Sequence, residues 1–282
     1  MPQPDRALYI DALADERLDD YRDVRDKDLL RDRDLFIVEG RENVRRLIRE
    51  SPWVPRSLLL SKPAFEAMGD LLEELPEEVA VFVGSKDVVS EVAGFDLHRG
   101  CLAAVERAPE RDPVSLLPPS PEASLVVVLE GLTNPDNVGG VFRNAMALGV
   151  DAVLSCPRCC DPFYRKAIRV SMGAALVVPS ARFESWPRGL DALRAAGYHV
   201  VALDPGEEAL EIGSPPWQEA VRARPRIALV LGTEGNGLSA EALDRCDERH
   251  RIAMVPGFDS LNVATACAIA LHHLFLARSP GG

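Results

Sequence analysis

The chain has 282 residues, enough for one large domain or two modest ones, each with its own core. Apolar residues make up 47%, which excludes a disordered chain, and no run approaches the roughly 20 uninterrupted apolar residues of a membrane span. The formal net charge of -12 excludes a surface built for nonspecific phosphate binding, though not a local basic face.

The polar, acidic start MPQPDRALYIDALADERLDDYRD lacks a secretory apolar region, so a cytoplasmic protein is expected. The first 30 residues read as a charged helical or extended arm. Segments 35–40, 57–61, 79–84 and 101–107 read as short strands, and 41–50 and 64–75 as helices. This alternation predicts a small α/β domain over 1–108. The proline-rich stretch 107–124 reads as a linker, which places the domains at 1–108 and 124–282 with 109–123 between them.

The second part alternates more clearly. Segment 124–130 is a near-continuous apolar run, as expected of a strand buried on both faces of a parallel sheet. A helix follows within 133–149, capped at Asp136 or Asn137. Val138, Val141, Phe142 and Ala145 recur along it at helical spacing, and Gly149 stands at its stop. Further strands are expected at 151–155, 175–179, 198–204 and 226–232, and helices at 161–172, 186–196 and 238–246. The chain closes with an apolar helix over 260–277, buried in its own core or against a partner subunit.

The six cysteines are too sparse for a secreted disulfide scaffold. CPRCC at 156–160 clusters three of them but lacks partners for tetrahedral zinc, so no metal is expected. No P-loop, H-E-x-x-H or G-x-S-x-G is present, and no histidine stands in a recognisable triad order. Arg41, Arg45, Arg46 and Arg49 fall together, as do Arg158, Arg165, Lys166 and Arg169. Each group is either a solvated helix face or a phosphate-binding one.

Three loops that follow expected strands carry the chemistry, and ligands bind at the carboxyl ends of parallel strands. The first, TNPDNVGGVFRNA, holds Asn134, Asn137 and Arg143, with Arg143 outside the apolar stripe of its helix. The second, LGTEGNGLS, has three glycines, which neither helix nor strand stability explains, and reads as a close-contact ligand surface. Glu234 within it would repel a phosphate and suits a ligand lacking one, such as S-adenosylmethionine. The third, IAMVPGFDSLNVATA, reads as a strand, a Pro-Gly turn and a helix opening at Asp259 or Ser260. Capping accounts for Ser260 but leaves Asn262 unexplained.

Together these loops resemble, in order and spacing over about 124–278, the SpoU (TrmH-like) family of RNA ribose methyltransferases in the SPOUT superfamily. LFIVEGRENVRRLI in the first part is similar to the L30e-like RNA-binding domain that often precedes that catalytic domain. The resemblance implies an α/β parallel-sheet domain threaded as a trefoil knot and a homodimer through the C-terminal domain. It also implies S-adenosyl-L-methionine as cofactor and structured RNA (rRNA or tRNA) as substrate. By resemblance, Arg143, Asn137, Glu234, Ser260 and Asn262 form the catalytic set. Backbone groups near Leu203, Gly232, Ile252 and Leu261 line the cofactor pocket, and Arg41, Arg45 and Arg46 hold RNA phosphates. The family gives hydroxyl activation to the arginine at Arg143. Arginine is a poor base, so Arg143 is expected to bind the neighbouring phosphate and stabilise the developing alkoxide. The competing readings are a noncatalytic RNA-binding relative, a nucleotide-dependent oxidoreductase and a base methylase. The intact motif residues, the misplaced glycine loop and SLNVA speak against them in turn.

Overall fold

The computed structural model describes residues 6–11, 14–22, 30, 33–94, 100–233, 235–257 and 260–278. It divides into two compact units, Met1–Pro109 with Phe163–Val177, and Glu110–Pro162 with Val178–Gly282. The expected boundary assigned all of 124–282 to one domain, whereas Phe163–Val177 belongs to the first unit. The reason is apolar contact. Phe163 stacks on Phe36 with ring centroids 4.7 Å apart, and Trp53 meets both rings edge-on. Ile168 and Leu176 enter the same core.

The first unit is built on β1 (Ala7–Tyr9), β2 (Leu35–Glu39), β3 (Pro55–Ser61), β4 (Ala80–Gly84) and β5 (Cys101–Glu106), in spatial order β1-β4-β3-β5-β2. β5 runs antiparallel to β2 and β3, and the other pairs are parallel. Pleating sends alternate residues to opposite faces. Phe36, Val38, Leu58, Leu60, Val81 and Val83 join one core, while Ile37, Leu59, Phe82 and Leu102 join the other. Both faces are covered, which is why these strands read as continuous apolar runs. Helix α1 (Arg41–Glu50) has the expected bounds. The single helix expected over 64–75 is instead α2 (Lys62–Ala67) and α3 (Gly69–Leu72), broken at the buried Met68. Helix α4 (Lys86–Ala93) and a 3-10 turn at Glu16–Tyr21 cover the second face. The charged start is therefore docked in part: Leu18 and Tyr21 are fully buried, and the Tyr21 hydroxyl lies 2.8 Å from Ser57 Oγ.

The second unit holds β6 (Ser124–Leu129), β7 (Ala152–Ser155), β8 (Ser180–Arg182), β9 (His199–Leu203), β10 (Leu210–Glu211), β11 (Arg226–Leu231) and β12 (Glu248–Arg251). They form one sheet in order β10-β12-β9-β11-β6-β7-β8, with every pair parallel. The helices are α5 (Pro135–Ala147), α7 (Arg188–Ala195), α8 (Pro215–Arg222), α9 (Ala240–Leu243) and α10 (Val263–Arg278), while α6 (Arg165–Val170) belongs to the first unit. Two expected strands are corrected. Segment 175–179 is not a strand: Ala174–Leu176 forms a 3-10 turn, and β8 starts at Ser180. Likewise 252–255 is irregular, because the pairing strand β12 lies four residues earlier. Part of the proline-rich linker is held down, since the buried Arg226 guanidinium donates to the carbonyls of Pro118, Pro119 and Glu122. From β6 the chain moves outward through β7 and β8, yet β11 returns to the opposite side of β6. The carboxyl ends of β6 and β11 therefore meet where the strand order reverses, the place an open parallel sheet offers to ligands.

A buried histidine ties β12 to α8 and makes stability depend on pH. The fully buried Trp217 donates its indole N–H to His250 Nδ1 at 3.0 Å, and His250 Nε2 lies 3.1 Å from Glu248. Nδ1 accepts and so carries no proton. Burial lowers the His250 pKa, only partly opposed by Glu248, while the nearby His199 adds to the fall. Unfolding returns the imidazole to its ordinary value near 6.5. Below that pH the unfolded chain binds the extra proton, so stability present above it is lost as pH falls toward the depressed folded value. Melting temperatures should drop between about pH 7 and about pH 5.5, and His250→Gln should flatten that slope.

Candidate active site

All three chemical loops lie in the second unit, and hydrogen bonds fasten them to one another. The first begins where β6 gives way to Glu130 and Gly131. Glu130 N–H donates to the Leu231 carbonyl at 2.8 Å, which aligns the exits of β6 and β11. Gly131 has φ of 68°, and a Cβ there would come within 3.0 Å of Thr233 Cγ2 in the second loop. Asn134 caps α5, its Oδ1 accepting from Asp136 N at 2.9 Å with Pro135 at the first helical position. The cap was expected at Asp136 or Asn137. Proline fits the first turn because its missing N–H has no helical partner there, and this moves the cap two residues back.

Asn137, Gly140 and Asn144 recur along one face of α5 and meet the start of α10. Asn262 Nδ2 donates to Asn137 Oδ1 at 2.8 Å, and Asn144 Nδ2 donates to the Ala264 carbonyl at 2.7 Å. A Cβ on Gly140 would stand 2.7 Å from the Ala264 Cβ, so glycine permits this close approach. At 100° per residue Arg143 lies at the edge of the same stripe. It is exposed and makes no ion pair or hydrogen bond among the described residues.

The second loop turns tightly on itself. Thr233 and Gly237 exchange two backbone bonds of 3.1 Å each, and Gly237 has φ of 65°. A Cβ on Gly232 would fall 2.3 Å from the Gly237 carbonyl carbon. The loop's own folding therefore explains Gly232 and Gly237, where a ligand surface was expected to explain all three glycines. Glu234 lies outside the described residues.

In the third loop the helix opens later than expected. Ser260 is exposed, and α10 begins at Val263. Asn262 is its cap, with Oδ1 accepting from Ala264 N at 3.0 Å and Thr265 N at 3.3 Å. Asn262 thus both caps α10 with its carbonyl oxygen and bridges to Asn137 with its amide, which answers the question its position raised. Asn262→Ser keeps the cap and loses the bridge, whereas Asn262→Ala loses both. Urea denaturation should show Asn262→Ala less stable than Asn262→Ser by about 1 kcal/mol.

One functional side chain escaped the sequence reading. Glu130, 2% exposed, accepts from Trp186 Nε1 at 2.6 Å, Ser239 N at 2.9 Å and Ser239 Oγ at 2.7 Å. It pins the first loop to the end of the second. The available signal was an acid directly after five apolar residues, at the end of a strand buried on both faces.

The site residues expected by resemblance thus fall into three groups. Asn137 and Asn262 are bonded directly, with Ser260 two residues from the bridge and Arg143 on the same helix as Asn137. Leu203, Gly232 and Ile252 stand at the carboxyl ends of β9, β11 and β12, which lie next to one another in the sheet. Leu261 is 36% exposed just before the α10 cap. Among the described residues no group of three or more His, Cys, Asp or Glu is placed to hold a metal.

A family model, the SpoU rRNA Methylase family, matches residues 124–272. The chain belongs to this family. An uncharacterized tRNA/rRNA methyltransferase of Mycobacterium bovis is 41% identical over 92% of this chain and 88% of its own length. The 23S rRNA (guanosine(2553)-2'-O)-methyltransferase RlmP of Bacillus subtilis is 26% identical over 94% of this chain and 98% of its own. Among solved structures, the SpoU methyltransferase AviRb from Streptomyces viridochromogenes in complex with AdoMet superposes with a TM-score of 0.75. It is 25% identical, covering 93% of this chain and 98% of that one.

This SpoU protein is an RNA methyltransferase that uses S-adenosylmethionine. Its residues fit that cofactor. Leu203 and Ile252 are half-buried apolar groups beside strand-end backbone, suited to a flat heterocycle, and residues 252–255 form neither helix nor strand, leaving main-chain donors and acceptors for polar ends. In the first unit, Arg45 pairs with Asp70 at 3.3 Å and Arg46 with Glu50 at 3.0 Å, whereas Arg41 has no such partner among the described residues. Surface pairs of this kind are worth at most about 1 kcal/mol, so they yield readily to a competing anion.

Proposed function

We propose that this protein methylates a ribose 2′-hydroxyl in a structured RNA, rRNA or tRNA. The observation that carries the reading is an exposed guanidinium, Arg143, without a partner among the described residues, at the edge of the helix face joined to α10 through Asn137 and Asn262. S-adenosylmethionine supplies a methyl carbon on a sulfonium, whose leaving group is a neutral thioether. The chain's residues must then position the ribose oxygen and carry the negative charge that develops on it. Arg143 binds the adjacent phosphate and stabilises that charge, and an exposed cation without a competing partner among the described residues is free to do so. Asn137, Ser260 and Asn262 orient the sugar, and Glu234 holds Arg143 or its loop. Backbone at Leu203, Gly232, Ile252 and Leu261 holds the cofactor. The relatives named as 2'-O-methyltransferases support ribose over base.

The first unit is an L30e-like domain that takes the RNA, with Arg41, Arg45 and Arg46 on phosphates. The second carries the trefoil knot of its family and pairs with a second copy. α10 supports this pairing, because Phe275 and Leu276 are about half exposed on a helix whose Leu271 and Leu274 are buried. No described helix is long and apolar enough to cross a membrane, and a cytoplasmic site of action completes the reading.

The test is transfer of tritiated methyl groups to RNA from cells lacking this protein, followed by alkaline hydrolysis. A 2′-O-methyl blocks cleavage of the following phosphodiester, so label should appear in alkali-resistant dinucleotides. Label in mononucleotides instead would mark a base methylase.

A further inference from the structure

The turn after β7 carries Cys156-Pro157-Arg158-Cys159-Cys160, which methyl transfer leaves unused. Cys159 N–H donates to the Cys156 carbonyl at 3.1 Å, closing a four-residue turn that sets the two thiols side by side. Their sulfurs are 3.6 Å apart, and both cysteines are free. A disulfide bond is about 2.05 Å long, so side-chain rotation within the existing turn could close it.

The two sulfurs have unlike roles. Cys156 Sγ accepts the Gly131 N–H at 3.2 Å, whereas the one Cys159 S–H is shared between Cys156 Sγ at 3.6 Å and the Leu129 carbonyl at 3.3 Å. The Cys159 thiol beside it, against the opposing pull of burial, holds the Cys156 pKa well below the ordinary thiol range. The Gly131 N–H and the backbone and charge of Arg158 add to this. The same pairing, together with burial, pushes Cys159 up. The pairing thus favours the thiolate at Cys156 and the thiol at Cys159.

The turn is also stitched to the first catalytic loop. Cys156 N–H donates to the Leu129 carbonyl at 2.9 Å, and Cys160 N–H donates to the Leu132 carbonyl at 2.7 Å. With the Gly131 bond, these contacts hold the segment that leads into Asn134 and Asn137. Any movement of Cys156 Sγ is felt there directly.

We propose that Cys156 and Cys159 form a reversible disulfide with a hydroperoxide as oxidant, and that this oxidation slows methyl transfer. The Cys156 thiolate attacks one peroxide oxygen, the O–O bond breaks, and the leaving hydroxide takes up a proton as water. Cys156 is then a sulfenic acid. The Cys159 sulfur displaces its hydroxyl, the S–S bond forms, and the Cys159 proton leaves with that hydroxyl as water. In sum, two thiols and one hydrogen peroxide give one disulfide and two waters, the sulfurs yielding two electrons. Burial restricts the oxidant: Cys156 is 0% and Cys159 6% exposed, so a peroxide reaches Cys156 only when the turn opens on the Cys159 side, and a bulky disulfide is excluded. Once oxidised, Cys156 offers Gly131 N–H no charged acceptor, and its sulfur has moved toward Cys159. The effect on activity rests on the ribose-methylation reading, whereas the disulfide does not.

The test uses the full chain, reduced, desalted, exposed to graded hydrogen peroxide, quenched with catalase, alkylated and digested with trypsin. Cleavage after Arg158 separates the two cysteines, so mass spectrometry should find two peptides joined, and dithiothreitol should part them. The link should persist in Cys160→Ser and vanish in Cys159→Ser, where dimedone should trap Cys156 as its sulfenic acid. Circular dichroism checks that each variant is folded. Transfer to RNA should fall about tenfold as the link forms, the loss expected for a charge-assisted hydrogen bond, and recover on reduction. Oxidation of Cys160 or Cys246 before this pair, or overoxidation of Cys156 without a link, overturns the proposal. A complete link with unchanged transfer overturns the coupling. Failure of reduced protein to methylate any RNA strikes the functional reading alone, because the thiol mapping needs no substrate.

Discussion

Replacing Arg143 by alanine is expected to lower methyl transfer by about 10²–10³-fold while leaving S-adenosylmethionine affinity within a factor of about two. The split follows from position. Arg143 lies on α5, whereas the residues proposed to hold the cofactor stand at the ends of β9, β11 and β12, so on the proposed reading truncation removes a group that meets the RNA and not the cofactor. Stability should hardly change, because the side chain is exposed and breaks no bond among the described residues when removed. Arg143→Lys keeps the charge but not the planar fork, and should recover only part of the rate. Calorimetry with S-adenosylmethionine and single-turnover transfer to RNA measure the two quantities separately. A variant that loses both in proportion would show Arg143 to be structural. One that keeps full activity would remove it from the mechanism.

The part of this site that sequence makes legible is the part written in local signals. The Pro-Asp turn, the glycine-rich loop and the polar start of the last helix each follow an apolar run, so their place at strand ends can be read directly. The bridge from Asn262 to Asn137 cannot, because it spans 125 positions and depends on β11 inserting beside β6. The double use of Asn262 is hidden for the same reason: its cap is local, and its partner is not.

The same division runs through the fold. Helix α1 shows its bounds because charged and apolar residues alternate at helical spacing between Gly40 and Ser51. Segment 175–179 misleads because an apolar run is equally compatible with strand, helix or turn. There Gly173 at φ of 79° starts a tight turn that buries Ala174, Ala175 and Leu176. Strand β12 is missed for the opposite reason. Its residues, Glu248 to Arg251, are all polar, and neighbouring elements answer their charges: His199 meets Glu248, Asp204 meets Arg249, and Glu211 meets Arg251. Hydropathy cannot reveal a strand whose neighbours neutralise it.

Glu130 is where stability and function should fail together. Removing its carboxylate leaves the Trp186 indole N–H and the Ser239 backbone N–H without their acceptor. A fully buried donor left unpaired costs about 1–3 kcal/mol, these half-buried ones cost less, and a cavity adds to that. Against this stands the relief of no longer burying a charge, whose nearest basic group is the largely exposed Arg158 at 3.9 Å. The donors win, because Trp186 and Ser239 are only partly exposed whatever replaces the acid, and Glu130→Ala should lose about 2 kcal/mol in urea denaturation. Glu130→Gln tests the reasoning more sharply. The side chain keeps its shape, but one oxygen becomes an amide N–H₂. The two oxygens divide the work, Oε1 accepting from Trp186 Nε1 and Ser239 Oγ while Oε2 accepts from Ser239 N–H. Whichever way the amide turns, a donor faces a donor. Glutamine should therefore cost about 1–2 kcal/mol, although it relieves the burial of charge. Both variants should also raise the KM for S-adenosylmethionine, because the bond to Ser239 anchors the end of the second loop against the first. Wild-type stability in Glu130→Gln would mean that the Ser239 end of the second loop can move to meet the amide, and that the carboxylate does not hold these loops together.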